Sequence, residues 1–184
     1  KLIKNDLDVK IEVVERGDSD SIYKIMMERL KAYYKDDNID SSIYEAVLAV
    51  KPNSPFDFHL RVDALNVFIQ SADSKSLIES NKRIANILKD STENHSELIS
   101  KMLVEDSEKN LYKATELLSK QLLDKQDYKT IMRSLLDLKG VIDAFFDNVM
   151  VNTEDLEVRE ARLALISRVR VLFLSVADIS HLSS

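Results

Sequence analysis

Apolar residues recur every three or four positions through most of this chain, the period of helices with one buried face. Ile22, Met26, Leu30 and Tyr33 predict a first helix from Asp18 or Ser19, its cap, to about Lys35. Asp36-Asp37-Asn38 breaks it. Ser41 or Ser42 then caps a short helix through Val50, and Lys51-Pro52-Asn53-Ser54-Pro55 forms a turn. Phe58, Val62, Leu65, Phe68 and Ile69 share one side of a third helix over about 56–70. Leu77, Ile84 and Leu88 mark a fourth that starts near Asp73. The stretch from Asp90 to Glu97 is polar and reads as a hinge between two helical halves. Beyond it, helices are expected over about 97–125, 127–151 and 153–178. Asn152 or Thr153 would cap the last, with Glu154 and Asp155 in its first turn, where the helix dipole favours anions. Gly140 predicts a close helix approach or a slight kink inside the 127–151 helix. Residues 1–18 are weakly patterned and read as a lead-in from a preceding domain, leaving 19–184 as the helical domain.

Composition sharpens this picture. Among 184 residues there are only 2 Gly and 2 Pro, too few for a turn-dense sheet protein. With 45% hydrophobic residues the chain can bury a core. The expected fold is therefore all-α, a bundle of about six to eight helices. There is no Cys, which rules out disulfides and thiolate metal sites and fits a reducing cytoplasm. The longest apolar run, Val169 to Ala177, is short and interrupted by Arg170, so no membrane partner is expected. No signal-peptide pattern opens the chain, and its start at Lys1 suggests a piece of a longer protein. A net charge of -6 gives no general attraction to DNA or RNA, so any nucleic-acid contact needs a confined basic surface.

Catalytic chemistry has little to build on. His59, His95 and His181 are far apart and lack metal-ligand spacing. No phosphate-cradling glycine loop or nucleophile elbow is present. The acid pairs Asp36-Asp37 and Glu154-Asp155 sit at helix ends, where capping and solvation explain them. The chain itself is expected to catalyse nothing and to need no metal or cofactor.

Four stretches, in order, resemble the C-terminal region of bacterial glycyl-tRNA synthetase beta subunits. They are Glu28-Arg29-Leu30-Lys31-Ala32-Tyr33, then Ala46-Val47-Leu48-Ala49, then the eight residues from Asn81 to Leu88. The last runs from Phe145-Phe146-Asp147-Asn148-Val149-Met150-Val151 through Arg159-Glu160-Ala161-Arg162-Leu163-Ala164-Leu165 to the segment Leu172–Ser180. The final helix is also similar to the anticodon-binding domains of arginyl-tRNA synthetases, which carry an Asp-Ala-Leu-Arg signature. Here those positions read Leu156-Glu157-Val158-Arg159, keeping only the Arg. The resemblance implies an anticodon-binding domain for glycine tRNA, whose anticodons share cytosine at their second and third positions. It further implies a cytoplasmic α2β2 tetramer, in which the alpha subunit charges the tRNA using ATP and magnesium. The alternative is a helical scaffold that docks other synthetase domains.

Given that resemblance, the fourth helix offers the cleanest RNA-facing surface. At about 100° per residue, Lys75, Lys82, Asn86 and Lys89 fall opposite Leu77, Ile84 and Leu88, with Arg83 on the flank. Ammonium groups neutralise phosphates while an amide reads a base edge. A solvated helix face is the plainer reading. Arg29, between Met26 and Tyr33, and Arg61, between Phe58 and Leu65, fit a helix seam or an RNA face equally. Arg159, Arg162 and Arg170 lie on the apolar side of the last helix and need buried partners, for which Asp143 and Asp147 are expected to serve Arg159 or Arg162. Phe145 and Phe146 are expected in the core, and Tyr33 inward with Tyr34 reaching solvent.

Overall fold

The computed structural model describes residues 19–89, 100–122 and 127–183. Among them the chain forms eight α-helices, and no strand. These are α1 (Ser19–Asp36), α2 (Ser41–Leu48), α3 (Pro55–Phe68), α4 (Ser74–Lys89), α5 (Asp106–Leu122), α6 (Tyr128–Leu136), α7 (Lys139–Asn148) and α8 (Leu156–Leu174). Short 3-10 turns occupy Ser100–Met102 and Ile179–His181. The lead-in over 1–18 and the hinge at 90–97 lie outside the described residues.

Local chemistry sets the boundaries. Asn38 adopts a left-handed φ of 59°, which Asn tolerates, and the Ile39 amide donates to the Tyr34 carbonyl at 3.0 Å, closing α1. Ser54 caps α3 with Pro55 directly after it. Several expected boundaries move. Asp40, not Ser41 or Ser42, caps α2, its carboxylate accepting from the Ser42 amide at 2.7 Å. Asp155, not Asn152 or Thr153, caps α8, accepting from the Glu157 and Val158 amides, and the helix stops at Leu174. The helix expected over 97–125 is delayed to Asp106, because Glu108 reaches back to the Val104 and Glu105 amides at 2.6 and 2.8 Å. The helix expected over 127–151 is two helices parted at Asp137 and Leu138. Gly140 therefore lies in the first turn of α7, where nothing comes within 4 Å of an added Cβ, so no close approach depends on it.

Helix α8 is the axis of the bundle. Six consecutive residues, Ala161 to Ile166, are buried, so this helix is covered on every side there. It packs on α4, α5 and α6, while α3 packs on α6 and α5 on α7. After α8 the chain crosses α2, where the Asp178 amide donates to the Ala46 carbonyl at 2.9 Å and Ile179 is fully buried. Helix α1 rests on α2. Its buried stripe is rotated by one residue from expectation: Met27 and Tyr34 are inside, whereas Ile22 and Tyr33 are exposed. The reason is aromatic. Tyr34 stacks on Phe58 at 5.7 Å between centroids and neighbours Tyr44, and this pocket fixes the helix register. Burial there pushes the Tyr34 phenol up to about 12.

Candidate nucleic-acid interface

Helix α4 is anchored at its start by Ser74, whose hydroxyl donates to the Ser71 carbonyl at 2.7 Å. Leu77, Ile78, Asn81 and Ile84 are its buried side. Asn81 is fully buried and donates to the Leu77 carbonyl at 3.1 Å. With that side fixed against α7, α8 and the C-terminal 3-10 turn, helical geometry turns Lys75, Arg83, Asn86 and Lys89 outward, all exposed, and leaves Lys82 half-buried. The helix carries four cations and one carboxylate, Glu79, a local charge of +3 on a chain of -6. Lys75, Asn86 and Lys89 have no hydrogen-bond or ion-pair partner among the described residues.

Beside this row, α7 supplies a wall. The Arg83 guanidinium lies over the Phe146 ring at 4.3 Å, forming the seam between the cationic face and a cleft of about 430 Å³. Ser76, Glu79 and Ser80 of α4 face Asp143, Phe146 and Asp147 of α7 across it. Asp143 is engaged, receiving Lys139 at 2.7 Å and the Ser76 hydroxyl at 3.2 Å, and this contact raises the Lys139 pKa. The cleft was not visible as a site in the sequence. One signal was available: adjacent aromatics on a helix diverge by about 100°, so Phe145 and Phe146 cannot both point inward. Phe145 is fully buried, and Phe146 is half-buried at the rim.

Three other arginines, Arg61, Arg162 and Arg170, are committed inside the fold. Arg61 donates to Asp57 at 3.0 Å, to the Ser175 and Val176 carbonyls at 3.0 and 2.6 Å, and to the Tyr128 hydroxyl at 2.8 Å. It closes the C-terminal end of α8, where the helix dipole favours a cation. Arg162 pairs with the fully buried Glu108 and donates to the Met150 carbonyl at 2.8 Å. The expected partners of Arg162, Asp143 and Asp147, stand elsewhere, because α7 turns them toward α4. Arg170 pairs with Asp178 at 2.5 Å. Arg159 is half-buried, and its Nε has no partner among the described residues. Arg29 is exposed on α1, which rests on α2 rather than on the elements that hold α4.

Among the described residues no group of three His, Asp or Glu side chains is gathered as metal ligands, and no helix is long and apolar enough to cross a membrane. The described residues thus form a helical bundle around a buried axis, with a cationic helix face and an adjoining polar cleft on its surface. Residues 77–179, from α4 to the C-terminal 3-10 turn, match the DALR anticodon binding domain, and the chain belongs to that family. It is 38% identical over 164 residues to the glycine–tRNA ligase beta subunit of Haemophilus influenzae, covering 88% of this chain and 24% of that one. To the beta subunit of Pseudomonas aeruginosa it is 37% identical over 175 residues, covering 93% and 26%. The chain thus spans about a quarter of the length of these curated relatives.

Proposed function

We propose that this chain is the anticodon-binding part of a glycine–tRNA ligase beta subunit and grips the anticodon stem-loop of glycine tRNA without catalysing a step itself. Aminoacylation, with ATP and magnesium, would proceed in the alpha subunit of a cytoplasmic α2β2 tetramer. The observation that carries this reading is the cationic face of α4, a helix of net charge +3 inside the matched domain of an otherwise acidic chain. Lys75, Lys82 and Lys89 would neutralise loop phosphates, with Asn86 among them to meet a base edge and Arg83 at the border of the cleft. Arg29 would add a cation on a separate helix. Arg61, saturated within the fold, would contribute by holding α3, α6 and α8 in place.

A titration of the chain with glycine tRNA, and with a variant altered at the two anticodon cytosines, tests this at low and moderate salt. Preference for the native anticodon, with affinity falling as salt rises, is expected. Equal, salt-sensitive binding would reduce the role to backbone holding. Absence of binding to both would sink the proposal and favour a scaffold that docks other synthetase domains. The exposed apolar residues of α1, Ile22, Ile25 and Tyr33, support that second reading.

A further inference from the structure

Resting on that reading, we infer that the cleft between α4 and α7 receives one unstacked nucleobase bearing an exocyclic amine, and selects it against uracil. Its volume of about 430 Å³ falls within the range of small-ligand sites. Phe146 and the Arg83 guanidinium above it form a flat, polarisable platform, and both groups stack on bases that have left a helix.

The polar lining defines the edge that fits. Glu79 and Asp147 are exposed carboxylates on opposite walls, with no ion-pair partner among the described residues. Asp143 is already neutralised by Lys139, so these two hold the unused acceptor capacity. An ionised carboxylate only accepts hydrogen bonds. It satisfies the amine of cytosine, adenine or guanine, whereas uracil presents a carbonyl oxygen where cytosine has its amine. Ser80 supplies a hydroxyl that can donate to the ring nitrogen or carbonyl of cytosine.

Acids would be misplaced in a surface that only grips phosphates. Here the cations lie on the outer face of α4 and the acids lie in the cleft, with Arg83 shared between them. A nucleotide crossing this seam would leave its phosphate on the lysine row and its base between the helices. The cytosines of a glycine anticodon carry the required amine.

The test is binding of the chain to two RNA hairpins of identical stem, one with an all-cytidine loop and one with an all-uridine loop. The wild-type chain should prefer cytidine by about tenfold, within the range of a single base-edge contact. Glu79→Ala combined with Asp147→Ala, both at exposed helix positions, should reduce that preference to about twofold or less without weakening uridine binding. Phe146→Leu should weaken both hairpins by about fivefold or more through loss of stacking. A wild-type chain that binds both equally overturns the cleft assignment and leaves the phosphate-gripping face standing. So does an intact preference in the double variant, or unchanged affinities in Phe146→Leu. Failure of the wild-type chain to bind either hairpin overturns the anticodon reading and the cleft together.

Discussion

The arginines of α3 and α8 and the cations of α4 are the same chemistry put to opposite uses. Arg61, Arg162 and Arg170 each find a carboxylate or helix-end carbonyls inside the bundle, so their charge is spent on holding helices together. Lys75, Arg83 and Lys89 form no ion pair among the described residues, and their charge faces outward. The difference lies in where the acids are. Glu108 and Asp178 meet arginines of α8 and Asp57 meets Arg61 of its own helix, whereas Asp143 and Asp147 line a cleft between α4 and α7. A positive residue in this domain therefore has meaning only through what faces it.

The largest break in that comparison comes from the buried ion pair. Glu108→Ala strands Arg162 and frees the Val104 and Glu105 amides, and should cost about 3–5 kcal/mol in chemical denaturation. A loss below about 1 kcal/mol would show that Arg162 finds water or another partner.

Arg61→Lys comes next. It keeps the charge but cannot span Asp57, Tyr128 and two carbonyls, so a loss of about 2 kcal/mol is expected. Equal stability of the Lys variant would mean that charge at the end of α8, not the guanidinium fork, is what matters.

Asp178 adds a pH dependence. Burial opposes its ionisation, but hydrogen bonds from Ser180 and Arg170 outweigh burial and hold its pKa below the usual carboxylate value. A depressed native pKa stabilises the fold above the unfolded value of 3.8, and that contribution disappears as pH falls through the native value. Asp178→Asn should therefore be less stable near neutrality, with the gap to wild type narrowing in acid. Parallel stability curves from neutral pH down to about pH 2 would contradict this account.

The smallest effect on stability should come from α4. Lys82→Ala with Arg83→Ala should change unfolding free energy by about 1 kcal/mol or less, yet weaken tRNA binding and flatten its salt dependence by one or two phosphate contacts. If RNA affinity survived in the folded double variant, the cations of α4 would be no more of an interface than those of α8.

Much of this was legible in the chain. The scarcity of Gly and Pro and the three-to-four-residue spacing of Leu, Ile and Phe fixed an all-helical fold, because a helix must repeat its buried face at that interval. Of the row expected on α4, Lys75, Asn86 and Lys89 face outward as the same arithmetic gives, whereas Lys82 is half-buried. It was less legible at α1, where adjacent apolar residues such as Met26-Met27 and Tyr33-Tyr34 leave the register open by one position. The aromatic pocket of Tyr44 and Phe58 decided it. The break at Asp137 and Leu138 also escaped periodicity, since α6 and α7 continue an apolar rhythm across it.

Sequence alone thus determined the class of fold, the cationic face of α4 and the family resemblance, all properties of local order along the chain. Only the tertiary structure decided which cations were spent and which left over. Glu108 and Arg162 are 54 positions apart, and Arg61 meets carbonyls more than 100 residues away. The cleft joining Glu79 and Arg83 to Phe146 and Asp147 is likewise made by packing two helices distant in the chain. Ion pairs and base-sized cavities form between elements, and no periodicity within one element encodes its neighbour.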